Sequence, residues 1–220
     1  MRSQTSRPAR IRRWADSELD RQRGEEAGWA PWSIRFWRCM AIAFCLASIL
    51  GHWMEIPYCL FMDWAFGIVD DDSLVFADPM YPFLVYGVAA VLCSLILVPV
   101  RDWMRRHRPT FARAIIDFFC FAVVGSMLIE LIMGLLLNQP DPVTGLYPLW
   151  DNSYLPGNIL GQAWIVNDLL LGSLVTLYVW VLYPALVKLV SFVPRRYGWP
   201  IAIVVVVSFT ILCIVKFSAA

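Results

Sequence analysis

The chain has 220 residues, of which 60% are hydrophobic and 16% charged, with a formal net charge of +1 and a mean hydropathy of +0.62. A soluble domain of this length hides only about 70% of its surface on folding and needs a charged exterior, so this composition excludes one. The net charge carries no message by itself; charge clusters at the ends of apolar runs report orientation in a bilayer rather than nucleic-acid binding, and no nucleic-acid partner is expected.

Residues 1–33 read as an Arg-rich tail, with seven arginines from Arg2 to Arg23 set against Asp16, Glu18, Asp20, Glu25 and Glu26. Its tryptophans, Trp14, Trp29 and Trp32, suit a short helix lying on anionic lipid. Apolar runs follow at about 36–61, 80–100, 114–137, 160–187 and 199–217. Each approaches or exceeds the roughly 20 residues that cross a hydrocarbon core of about 30 Å. The first run is flanked by Arg35 and Arg38 and followed by no small-residue cleavage site, so it is expected to be a retained helix. The expected fold is therefore all-α: a polytopic membrane protein of about five transmembrane helices, with residues 34–220 forming one transmembrane domain.

Orientation follows from the basic residues. Nine lie in the tail through Arg38, five in 101–113 (Arg101, Arg105, Arg106, Arg108 and Arg113) and three in the fourth turn (Lys188, Arg195 and Arg196). Seventeen of the eighteen thus fall on one side, with Lys216 alone on the other. The two opposite loops hold Asp63, Asp70, Asp71, Asp72, Asp78, Asp141 and Asp151 with no Lys or Arg. The positive-inside rule then places the amino terminus in the cytoplasm and the carboxyl terminus outside. Six cysteines (Cys39, Cys45, Cys59, Cys93, Cys120 and Cys213) stand singly in or beside apolar runs, without CxxC pairs, and read as small buried hydrophobes. No metal site and no cofactor are expected.

Three acids interrupt the apolar runs. Glu55 lies 17 positions after Arg38, and Glu130 lies 17 positions after Arg113, which sets both about 25 Å from the inner boundary. Asp168, 20 residues before Lys188 and beside Asn167, is expected near the outer edge of the fourth run. A charged group inside a bilayer costs roughly 2.5–3.5 kcal/mol on insertion scales, so each acid should face protein and have a partner. The functional reading is a cation-, proton- or amine-binding site opening outward, lined by Glu55, Glu130, Asp151, Asn158, Gln162 and Asp168. His52, three residues before Glu55, is placed to share a proton with it. The alternative is that indole, amide or imidazole neighbours bond each acid and merely fix helix packing. Gly51 and Gly125 stand four and five residues before Glu55 and Glu130, where the lack of a side chain lets another helix approach. Each of these spans is followed by an acidic loop rich in Pro and aromatics and then a returning span. The result is a pseudo-repeated two-helix unit, with halves at about 34–113 and 114–190.

The stretches Gly51-x-x-x-Glu55, Pro79-x-Tyr81-Pro82, Tyr86-Gly87, Glu130, Leu149-Trp150-Asp151-Asn152-Ser153, Pro156-Gly157-Asn158-Ile159 and Gly161-Gln162 resemble the bacterial family called putative ABC-transporter type IV. The resemblance covers roughly residues 45–190. Asn152 stands where that family usually has Tyr, and Ala163 where it usually has Ile. It implies a permease-like transport role. The chain has no GxxxxGK[ST] phosphate loop, so any ATPase must be a separate subunit. The basic stretch from Arg101 to Arg108 could dock such a subunit or anchor to anionic lipid. Membrane lipids, that ATPase and a second copy of the chain are the partners considered. Two other classes stay open: a membrane-embedded lipid-modifying enzyme, and a non-catalytic component binding lipid or a partner helix. For an enzyme, a Ser126–His52 dyad lacks any identifiable third group, and the paired aspartates of prenyl transferases are missing. The Asp70–Asp72 run lacks the spaced oxygen ligands of a calcium loop.

Overall fold

The structure, a computed structural model, describes residues 29–67, 76, 78–143, 145 and 147–218. The tail through residue 28 and the Asp70–Asp72 run lie outside the described residues. Among the described residues five helices are long and apolar enough to cross a membrane: α1 (Ile34–Phe66), α2 (Leu84–His107), α3 (Phe111–Leu137), α4 (Ile165–Phe192) and α5 (Arg195–Ser218). Between α3 and α4 lies a two-residue hairpin of β1 (Asn158–Ile159) and β2 (Ala163–Trp164), antiparallel with Asn158 opposite Trp164.

Local chemistry sets the helix ends. Ser33 accepts the Phe36 N–H at 3.2 Å and Thr110 accepts the Arg113 N–H at 3.2 Å, each hydroxyl satisfying a first-turn donor that has no intrahelical partner. Gly67 ends α1 with φ 65°, a left-handed conformation in which its N–H reaches back to the Asp63 carbonyl at 2.8 Å. With 33 residues α1 is about 50 Å long, well beyond a hydrocarbon core of about 30 Å.

Two compact units divide the chain: one contains the residues through Ile96 together with those from Pro184 on, and the other is Leu97–Tyr183. Their boundaries fall inside α2 and α4, at other places than the repeat halves read from the sequence.

In the first unit, α1 and α5 run in the same direction. The Arg38 guanidinium lies over the Trp199 ring at 6.0 Å and against Gly198, and further along both helices Phe44 meets Phe209 edge-on at 5.8 Å. The start of α2 runs against α1, with Gly87 seated on Ser48 and the Phe44 backbone and Gly51 on the Tyr86 ring. A Cβ at either glycine would overlap these atoms, so the close approach expected at Gly51 is real.

In the second unit, α3 and α4 are antiparallel, and their contacts descend one helix as they climb the other. Gly134 faces Gln162, Val123 faces Gly172, and Phe118 and Phe111 both pack edge-on against Trp180 at 5.9 and 5.3 Å. At Gly172 a Cβ would stand 3.0 Å from the Val123 backbone, so these helices touch main chain to main chain. Nothing comes within 4 Å of the Cβ position at Gly125, so the contact expected there is made at Gly134 and Gly172 instead.

One turn of α4, Tyr178–Leu182, is a π-helix. Its cause is Pro184, which has no N–H to give the Trp180 carbonyl in α-helical register or the Val179 carbonyl in π register. The Tyr183 N–H bonds the Tyr178 carbonyl, and the freed Val179 carbonyl takes a hydrogen bond from buried Arg101 at 2.8 Å. Asp102 holds the other edge of that guanidinium at 2.7–2.8 Å.

Candidate functional site

The residues expected to line one site divide between the units. His52 and Glu55 belong to the first; Glu130, Asp151, Asn158, Gln162 and Asp168 belong to the second.

In the first unit, Glu55 accepts a hydrogen bond from the Tyr86 hydroxyl, which approaches over Gly51. Tyr86 thus takes the role that the sequence suggested for His52. His52 is wholly buried against Phe83, with ring centroids 4.6 Å apart and neither nitrogen hydrogen-bonded. Above them, the Trp53 indole donates to the Pro79 carbonyl at 2.6 Å, and Lys216 spans both oxygens of Asp78 at 2.7–2.8 Å. The one basic residue opposite the others in the sequence reading is therefore neutralised by a loop aspartate. The Lys216 hydrogen bond holds the Asp78 carboxyl below the usual carboxylate range, helped by the Met80 N–H. Because that folded value is depressed, the stabilisation exists above the unfolded carboxyl value of about 3.9 and is lost as pH falls through the folded one. Asp78→Asn is expected to lower the melting temperature at neutral pH, with the gap to wild type closing as the pH falls below the unfolded carboxyl value of about 3.9 and through the lower folded one. A pH-independent gap in thermal melts would assign the effect to the loop backbone instead.

In the second unit, residues 147–164 are a folded cap on the end of α3. Its anchor is Asn138, which sequence reasoning passed over because a polar residue ending an apolar run looks like an ordinary helix stop. The Asn138 amide donates to the Trp150 carbonyl at 2.6 Å and to the Gln162 side-chain oxygen at 3.0 Å, and its oxygen accepts the Leu149 N–H at 2.9 Å. The Gln162 carbonyl accepts both the Trp150 indole at 2.9 Å and the Asn152 amide at 2.8 Å. Asn158 donates to the Leu155 and Ser153 carbonyls and accepts the Gly161 N–H at 3.0 Å, while Asp151 accepts the Ser153 N–H at 2.8 Å. At the hairpin tip Leu160 and Gly161 both take positive φ, 55° and 70°. The side chains of Asn158 and Gln162 are thus occupied in holding the cap. Of the stretches that carry the family resemblance, 149–153, 156–159 and 161–162 lie in this cap.

Beneath it, Glu130 on α3 meets the first turn of α4. The Asn167 amide donates to Glu130 at 3.0 Å, and the Trp164 backbone N–H also points at its carboxyl. Asp168 lies within interaction range of Glu130, wholly buried, with no hydrogen-bond donor on either oxygen; the second oxygen of Glu130 is likewise without one. Asp117, by contrast, is held by two cations, Arg108 at 2.6 Å and Arg113 at 2.9 Å. Among the described residues the Glu130–Asp168 pair has no such cation. Among the described residues no three His, Cys, Asp or Glu side chains gather as a metal site.

A protein-family model described as "Putative ABC-transporter type IV" matches residues 42–217, from within α1 to near the end of α5 and including the cap. Comparison with the curated proteins gave no match, and neither did comparison with the solved structures.

Proposed function

The chain belongs to the putative ABC-transporter type IV family, and from that premise we propose that it is a permease-like membrane component whose Glu130–Asp168 pair is the site for a positively charged ligand. The multi-pass helical architecture supports the transport reading. The observation that carries the site is Asp168: a carboxyl with no exposed surface and no donor, facing a second carboxyl inside apolar helices, requires a positive partner. Asn167 orients Glu130, and the cap closes the end of the same helix pair. Energy comes from a separate ATPase subunit, with membrane lipid as the other partner.

For orientation we take the amino terminus as cytoplasmic and the carboxyl terminus as outside a bacterial inner membrane, supported by the seventeen basic residues on one side and the shared direction of α1 and α5. A reporter active only outside the cytoplasm, fused after Ala220, is expected to work; activity confined to a cytoplasmic reporter there reverses the topology.

For the site, wild-type protein in lipid is screened for thermal stabilisation by a panel of inorganic cations and amines. A ligand at 100 times its Kd is expected to stabilise by about 2.7 kcal/mol, and Glu130→Gln or Asp168→Asn to abolish that shift. Full shifts in both variants would reduce the pair to a packing contact.

A further inference from the structure

The Glu130–Asp168 pair also shows which positive species suits it best in the resting protein. Glu130 is an acceptor of N–H bonds: one from Asn167 at 3.0 Å, and one from the Trp164 backbone at the start of α4. Helix α4 has no side-chain cap of its own at Trp164, and the Glu130 carboxyl of the neighbouring helix faces the backbone N–H of that residue. Asp168 receives nothing. Its two oxygens and the second Glu130 oxygen are all buried and all lack a donor. Three acceptors without a donor, two of them on a carboxyl beside another carboxyl, describe a hydrogen bond whose hydrogen sits on one of the two acids.

We propose that Glu130 and Asp168 bind a single proton between them, the Asp168 hydroxyl donating to a Glu130 carboxylate held by Asn167 and the Trp164 N–H. A proton needs only two oxygens. Calcium takes six to eight oxygen ligands and magnesium a near-octahedral set, whereas here backbone carbonyls are engaged in helices and, among the described residues, no third carboxyl joins the pair. Among the described residues, α3 brings Glu130 to the pair, α4 brings Asp168 and the neutral Asn167, and β2 brings a backbone N–H. The inference rests on reading this pair as the ligand site and names its resting occupant, so a cationic solute binding there displaces the proton to solvent. Loss of the proton sets two negative charges against each other on the α3–α4 seam, which the main-chain contact at Gly172 leaves little room to widen.

Infrared spectroscopy of the full chain in lipid nanodiscs tests this. At neutral pH, without added metal, a protonated-carboxyl C=O band is expected that shifts in D2O, disappears in Asp168→Asn and persists in Glu55→Gln. Aspartate labelled with 13C at its carboxyl must move the same band in wild-type protein, which keeps the test intact should Asp168→Asn fail to fold. Absence of the band, or its insensitivity to the label, would overturn the proposal, whereas its loss on adding a cation that also stabilises the wild-type protein is the displacement expected of a bound solute. Failure of the ligand screen with the band retained would sink the transport reading alone.

Discussion

Asn138→Ala is expected to destabilise the protein by about 2–4 kcal/mol and to loosen the cap over 147–164. The side chain leaves behind a Leu149 N–H without its acceptor, and a Trp150 carbonyl and a Gln162 side-chain oxygen without their donor. Each buried polar group stranded in this way costs on the order of 1–3 kcal/mol, and neighbouring losses relieve one another in part. Asn138→Asp makes the finer comparison, since it preserves shape and the bond from Leu149 while removing both N–H bonds. Gln139→Ala is the control: that side chain is exposed and bonds only its own helix at Leu135, so a change within about 0.5 kcal/mol is expected. Unfolding followed by tryptophan fluorescence reads the result, because Trp150 and Trp164 both donate within the cap. A loss below about 1 kcal/mol for Asn138→Ala would show that water replaces the amide and that the cap holds by apolar packing.

The second large effect is expected at Arg101. Arg101→Met should cost about 2–3 kcal/mol, the scale of a hydrogen bond from a charged donor, because the Val179 carbonyl then has no partner. Arg101→Lys should recover only part of this, since one ammonium does not reproduce the fork that holds Asp102 and Val179 together. The decisive measurement is a double-mutant cycle with Pro184→Ala. Alanine restores the missing N–H and lets the turn return to α-helical register, so Arg101→Met should cost clearly less in that background. Equal costs in both backgrounds would mean that Arg101 and the π turn are unrelated.

Both predictions concern residues that the sequence placed but did not explain. Arg101 was counted as a boundary charge, one of five marking an aqueous face, whereas its guanidinium is buried and serves the backbone of another helix. Asn138 gave no signal beyond ending an apolar run. Asn158 and Gln162 were read as site residues from their place in an aromatic loop, and their amides are consumed by that loop. His52 was assigned to Glu55 by helical spacing, yet Tyr86 from the next helix reaches that carboxyl. The legible part was the five helices, the family, and which acids stand in apolar surroundings.

The division has a physical cause. Whether some 20 residues enter a bilayer depends on their summed transfer free energy, a local quantity carried by composition, so the sequence alone determined the spans and the unusual acids within them. Which acid meets which donor depends on the rotation and register of one helix against another. Helices apolar on nearly every face carry little periodic signal for either. Only the packing of α3 on α4, set by Gly134 and Gly172, decided that Glu130 takes the Asn167 amide and faces an Asp168 without a donor.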